Sequence, residues 1–346
     1  MNKTTLRAAL GAVLFASFGS AHAHCGSAFC LVNTSWDVQG LWNDPGSRLD
    51  LRYESIDQDS LKHGSGADDD DGDDGDALQP AARRITGAPT LADPGVQPHH
   101  DAHDHVPVRT TTHIVNLAYE RSFSREWGLS LVVPWIDRTH QELQFGSSGT
   151  NPHIHTSDYA QLGDARVTAR WQLASGEAAS YGLRFGLKLP TGSHDQPGPH
   201  DTLLDRSLQP GTGTTDAILG VYANGRLGSG ATGWFSQLSA QRAFAERDDY
   251  RNGTRVQLDT GVSHAFGARV LGLLQLNGSW SGRDAGSDAE PEDSGSRSVS
   301  LSPGVNVSLG QHANLYAFVE KPLWRRVNGE QLVADYSAAA GFNWAF

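Results

Sequence analysis

The chain has 346 residues, with Lys+Arg 27 against Asp+Glu 39 and a formal charge of -12. That balance excludes a nucleic-acid binder, which needs a basic face to displace counterions from phosphates. Apolar residues are 38% and the only long apolar run is N-terminal, so no transmembrane helix is expected, whereas a β-barrel needs only every second strand residue to be apolar.

The N-terminus reads as an export signal. Lys3 and Arg7 precede an apolar run from Ala8 to Phe18, and Ala21-His22-Ala23 fits a small-x-small cleavage site. Residues 1–23 are therefore set aside as a signal peptide. Cys25 and Cys30 then lie in an oxidising compartment, where a small-loop disulfide is expected. A metal chelate from His24 and Cys25 is the alternative. Cys25 lacks the aliphatic and small residues that precede a lipidated cysteine. Residues 24–45 form an N-terminal segment that either inserts as a plug, with Trp36 and Trp42, or hangs in the periplasm.

From Ser47 onward the pattern has a period of two. Leu49, Leu51 and Tyr53 alternate with Arg48, Asp50, Arg52 and Glu54, and successive strand side chains point to opposite faces. The same alternation recurs along the chain, for example in Tyr181–Leu189, Val256–Phe266 and Leu332–Phe346. Twelve strands are predicted, about 46–56, 108–121, 126–138, 163–174, 181–190, 213–226, 232–246, 252–266, 268–280, 297–310, 312–321 and 332–346. An even number suits a bacterial single-chain barrel. With the N-terminus periplasmic, the outward connections are 57–107, 139–162, 191–212, 247–251, 281–296 and 322–331. Five of these six exceed every inward connection in length, the asymmetry of an outer-membrane barrel with long extracellular loops. The fold class is thus all-β, a transmembrane antiparallel up-and-down barrel over 46–346. The end, Gly341-Phe342-Asn343-Trp344-Ala345-Phe346, resembles the C-terminal signal read by the barrel-assembly machinery, departing from it at Ala339.

Three segments then recur in a recognisable order: Leu162-Gly163-Asp164, Gly186-Leu187-Lys188-Leu189-Pro190-Thr191-Gly192 and Gly211-Thr212-Gly213-Thr214-Thr215-Asp216. This order resembles the outer-membrane transporters of the phenol meta-degradation pathway type, distantly FadL-like, over roughly Leu162 to Phe346. The resemblance implies an outer-membrane channel passing small solutes, hydrophobic or aromatic ones among them. It supplies no catalytic residues.

The loop 57–107 is acidic and His-rich. Asp68, Asp69, Asp70, Asp71, Asp73, Asp74 and Asp76 fail the EF-hand spacing and read as a solvated, self-repelling loop, with Ca²⁺ binding as the alternative. His99, His100, His103 and His105 interleave with Asp101 and Asp104. Such a tract can chelate Zn, Cu or Ni without a fold. His140, His153, His155, His194 and His200 fall in other outward loops, and His153 and His155 join the candidate metal ligands. A metal-uptake or metal-binding barrel is therefore a second reading, and a plugged structural barrel a third. No cofactor is required.

The lumen should carry Arg48, Asp50, Arg52, Glu54, Arg166, Arg170, Arg184, Lys188, Asp216, Arg255, Asp259 and Asp335. Charges of both signs should pair there and set selectivity. His155-Thr156-Ser157 resembles a triplet of the twelve-stranded outer-membrane phospholipase. It falls in a predicted loop without an orienting carboxylate on a strand, so no enzyme is expected. The expected partners are the outer-membrane bilayer, the assembly machinery through Phe346, and a small-molecule solute.

Overall fold

The computed structural model describes residues 32–42, 44–64, 105–144, 152–176, 179–198, 202–228 and 230–346. The signal peptide, Cys25, Cys30 and most of the acidic first loop lie outside the described residues. The strands are β1 (Gly46–His63), β2 (His105–Ser122), β3 (Trp127–Gln144), β4 (His153–Leu162), β5 (Arg166–Ser175), β6 (Ala179–Lys188) and β7 (Thr215–Leu227). They continue as β8 (Thr232–Ala245), β9 (Arg255–Ala265), β10 (Val270–Ser281), β11 (Ser296–Ser308), β12 (Ala313–Val327) and β13 (Glu330–Ala345).

Every ladder is antiparallel, and β1 closes the ring on β13 from Arg48 opposite Ala345 to His63 opposite Glu330. β4 and β5 lie end to end along β3, beside Trp135–Gln144 and Trp127–Val132 respectively. They fill one position of the wall, so the closed barrel has twelve positions. No helix among the described residues is long enough and apolar enough to cross a membrane.

The alternation read from the sequence sorts the side chains. Leu49, Leu51 and Tyr53 are exposed on the outside, while Arg48, Asp50 and Glu54 are buried inside. The molecule is inverted relative to a water-soluble protein: large apolar side chains cover the outer wall and polar ones fill the interior. Lipid is the solvent that makes this distribution favourable.

Inward aromatic rings find room over glycines on the adjacent strand. Phe318 lies opposite Gly304, Tyr316 opposite Gly341, Tyr222 opposite Gly182 and Phe235 opposite Gly261. A Cβ on any of these glycines would overlap the facing ring. Pairing of this kind lets a narrow barrel hold large inward side chains.

Several boundaries differ from the sequence reading. β1 runs on to His63, β2 begins at His105 and β3 ends at Gln144, so these three strands are 18 residues each. Residues 153–162, expected as loop, form β4. The connection 322–331, expected as a long loop, shrinks to Asn328-Gly329, with Gly329 at φ 48°. Pro322 masked this continuation, because a proline in a strand reads as its end. The register instead shifts between Val299 and Ser300, opposite Trp324 and Pro322.

Asp335 also departs from its expected place. The β12–β13 ladder stops at Glu320 opposite Ser337, and β13 shifts register on β1 around Gln58. Parity no longer carries over that shift, and Asp335 and Tyr336 are both exposed.

Candidate functional site

The other lumen candidates face inward. Arg48, Asp50, Glu54, Arg170, Lys188, Asp216 and Asp259 are buried, and Arg52, Arg166, Arg184 and Arg255 line interior cavities. Their charges are organised in groups. Arg52 pairs with Glu54, and Arg48 approaches Glu120 at 3.9 Å. Asp50 accepts a 2.8 Å bond from the Tyr316 hydroxyl. Asp259 accepts from Asn277 at 2.7 Å, Gln257 at 2.9 Å and Asn33 at 3.0 Å.

Residues Val32–Trp42 occupy the lumen and make contacts all round the wall. The Trp36 ring is buried edge-on to Tyr316 at 4.9 Å and beside Phe318 at 6.3 Å. Asp37 pairs with Arg170 at 3.1 Å. Asn33 donates to Gln237 and Asp259, each at 3.0 Å. Thr34 and Ser35 accept from Arg52 and Arg184. Asn224 donates to the Val38 carbonyl at 2.8 Å. The segment turns at Gly40, whose φ of 73° suits glycine, and a Cβ there would overlap Asn224.

The three segments that carried the family resemblance meet at one buried cation. Lys188 Nζ lies 2.9 Å from Asp164 and 3.4 Å from Asp216, and it donates to Thr212 and to Thr214, the latter at 3.2 Å. Asp164 accepts from the backbone N–H groups of Gly192 and Thr212 at 3.1 and 3.0 Å. Asp216 accepts from Gln241 and Asn252 at 2.5 and 3.1 Å. A buried lysine between two carboxylates is tolerable only with such a complete set of partners. Its consequence is mechanical, because both ends of the connection between β6 and β7 are tied to the wall.

The middle of that connection turns inward. Leu204 and Leu208 pack with Ile114, Ile136 and Tyr159, and Tyr159 donates to the Leu208 carbonyl at 2.5 Å. Arg206 gathers the neighbouring outer loops: it bonds Asp288 at 2.6 Å, approaches Asp248 at 3.5 Å and stacks over Tyr250 at 5.2 Å. His194 meets Asp248 at 2.9 Å. Tyr250 donates to Asp284 at 2.7 Å, and burial together with that carboxylate holds its hydroxyl well above the ordinary tyrosine value.

Between the inturned loops and the N-terminal segment lie three adjoining cavities. The outer one, about 40 Å³, touches Arg206, Tyr250, Asp284, Arg166 and Arg255. The middle one, about 190 Å³, shares Arg166, Gln241 and Arg255 with it and adds Arg184. The inner one, also about 190 Å³, shares Arg166 and Arg184 with the middle cavity and rests on Val32–Ser35. Arg166 lines all three.

Most of the described histidines of the expected outer cluster lie on strands rather than in loops. His99, His100, His103 and His200 lie outside the described residues. His105 opens β2 opposite Gln144, while His153 and His155 lie on β4 opposite Gln144 and Glu142. His140, expected in a loop, is buried on β3 and bonds Thr110 at 2.8 Å. No group of three metal-type ligands occurs among the described residues. The His155-Thr156-Ser157 triplet sits on β4 rather than in a loop. Arg206, Tyr250 and Asn33 were missed because they belong to irregular segments, where no period marks an inward face.

No protein-family model matches the chain, and no curated protein matches it either. Solved structures do. The COG4313 outer membrane channel from Pseudomonas putida F1 superposes with TM-score 0.58 at 12% identity, covering 91% of this chain and 100% of that one. A FadL homologue from Pseudomonas aeruginosa gives TM-score 0.38 at 10% identity, covering 89% and 91%. The NanC porin gives 0.43 at 8%, covering 86% and 98%. The first likeness shows the barrel fold.

Proposed function

We propose that this chain is an outer-membrane channel for small solutes, narrowed from outside by its inturned loops and from inside by residues Val32–Trp42. The observation that carries this reading is the run of three adjoining cavities between those two obstructions. Their walls mix arginine, glutamine and hydroxyl groups with Ile136, Ile218, Val256 and Trp280, a surface that suits small solutes carrying both polar and apolar parts. The exposed apolar outer wall suits insertion into the outer membrane. The exposed terminal Phe346, whose backbone pairs with Ser47, suits recognition by the barrel-assembly machinery before the ring closes.

Reconstitution into planar bilayers tests the reading. Discrete, small conductance steps, with swelling of proteoliposomes in small but not large sugars, are expected. A membrane that stays silent after verified insertion would favour the plugged structural barrel instead.

A further inference from the structure

The outer wall of β12 carries a cationic patch at the upper edge of its apolar band. Leu315, Ala317, Val319 and Lys321 are exposed and alternate with the buried Tyr316, Phe318 and Glu320. The register shift between Val299 and Ser300 then inserts an extra residue on β12. Leu323 and Trp324 are both exposed as a result, and Arg326 follows them on the outer face. Arg325 turns the other way and donates to the Ala334 carbonyl at 3.0 Å. A bulge re-aims side chains in this manner. With unbroken parity, Trp324 and Arg326 would fall on the inward face.

The patch lies where the apolar band ends. Ala313 is opposite Trp344, an exposed aromatic at the periplasmic end. Trp324 stands about 28 Å above it, at ~3.3 Å per residue and a tilt of about 40°, against an apolar band about 25 Å tall. Trp324 therefore sits at the outer interface and Arg326 just beyond it. Lys321 starts lower, and its aliphatic stem can lift the ammonium to the same level. Among the described residues, none forms an ion pair or side-chain hydrogen bond with Lys321 or Arg326. Arg297, directly opposite Arg326, has a contact of its own and adds to the local positive charge. Acidic groups stand farther out, where Asp293 accepts from the Glu330 N–H at 3.0 Å beyond the hairpin turn. The wall of β1, β3 and β4 is different. Its exposed residues past the apolar band include Asp59, Asp137 and Asp158, and its Arg109 is paired with Asp57.

A guanidinium and an ammonium on one surface match a phosphate group. Leu323 and Trp324 beside them form an apolar seat, and an indole suits the boundary between headgroup and hydrocarbon. A free phosphate would use the cations and leave that seat empty, whereas a phosphorylated lipid uses both. We propose that the outward face of β12 at Lys321, Leu323, Trp324 and Arg326 is a headgroup site for a phosphorylated glycolipid of the outer leaflet. This rests on the outer-membrane reading and is independent of conduction through the lumen. The site would fix one side of the barrel against the leaflet, while the acidic side formed by β1, β3 and β4 repels the same headgroups.

Native mass spectrometry of the full-length chain, folded in detergent, measures the site directly. The probes are bisphosphorylated lipid A, its dephosphorylated counterpart and inorganic phosphate. Saturable binding of lipid A is expected, with the dephosphorylated form about tenfold weaker or worse. The double variant Lys321→Gln with Arg326→Gln should weaken lipid A binding about tenfold. Arg326→Lys, which keeps the charge, should lose less. Arg242→Gln, at an exposed cation on β8, should bind as the unaltered chain does. Resistance of the folded barrel to SDS at room temperature verifies each variant. Equal binding of the two lipids, unchanged affinity in the SDS-resistant double variant, or an equal loss in Arg242→Gln would overturn the site. Inorganic phosphate that binds as tightly as lipid A would overturn the lipid assignment. Flotation with lipid vesicles on a density gradient separates this site from the reading beneath it. A chain that floats without preferring lipid A overturns the site alone, and one that does not float overturns the membrane reading as well. Lipid A binding in a barrel that conducts nothing would leave the site standing.

Discussion

Asp37 of the lumen segment reaches across the barrel to Arg170 of β5, with the carboxylate 3.1 Å from the guanidinium nitrogen. The Arg170 side chain is almost fully buried and the Asp37 side chain is partly exposed. Arg170 also donates to the Arg125 carbonyl at 3.0 Å and therefore keeps a wall contact without Asp37. The segment is thus fastened by the Asp37–Arg170 ion pair, by hydrogen bonds to charged and neutral groups of the wall, and by the buried Trp36 indole.

Weakening that ion pair should loosen the segment without unfolding the wall. Asp37→Asn is expected to raise single-channel noise and the frequency of wider openings. Recordings at matched voltage would show this, and traces indistinguishable from the unaltered protein would contradict it.

The Lys188 hub should behave differently. Lys188→Met leaves Asp164 and Asp216 facing each other in the interior without their cation. Breaking a buried pair in this way costs about 3–5 kcal/mol. The temperature at which the barrel loses SDS resistance should fall markedly. Adding Asp164→Asn and Asp216→Asn to Lys188→Met should recover part of the loss, because no bare carboxylate then remains. Failure of the triple variant to recover anything would mean that the hub acts through shape rather than charge.

Gly304 and Phe318 form a steric pair. Gly304→Val must displace the Phe318 ring, which in turn packs on Trp36. Overpacking of this kind costs about 1–3 kcal/mol. Thermal unfolding should show the loss, and Phe318→Leu should restore part of it in the double variant. Simple additivity of the two changes would argue that the ring does not occupy the space above Gly304.

Acid should release the outer loops. The hydrogen bond from His194 holds the Asp248 carboxyl below its ordinary value, and the charges of His194, Arg206 and Arg247 add to this. A depressed carboxyl contributes stability that is present above its unfolded value and is lost as pH falls through the folded one. In the window below about pH 4, as pH falls through the depressed value, the tie from Asp248 to His194 and Arg206 should therefore dissolve. Conductance is expected to rise over that window, and Asp248→Asn should show the raised level already at neutral pH. A pH-independent conductance in both proteins would remove Asp248 from any role at the mouth.

The wall was legible in the sequence and the obstructions were not. In Arg48–Glu54, strict alternation between grease and charge left one assignment of faces, and the register on β13 follows it residue by residue. Where the period broke, inference failed for a physical reason. Pro322 interrupted β12, although Asn328-Gly329 just beyond it is a hairpin signal. Asp335 obeyed parity in the sequence but sits beyond a register shift. His153 to Leu162 alternates weakly, because histidine, threonine and serine are at home on either face. Val32–Trp42 has no period at all, and only the two tryptophans hinted that it avoids water. Arg166 and Arg255 were identified as lumen residues, but their shared cavity depends on strands far apart in sequence.

In the proposed channel, residues Val32–Trp42 narrow the solute path through the lumen. Single-channel conductance of the full chain beside a variant lacking 32–42 tests it most directly. Removal of the segment, with SDS resistance retained, should raise the conductance severalfold and turn flickering steps into steady ones. An unchanged conductance in the shortened barrel would mean that ions do not pass the segment's position.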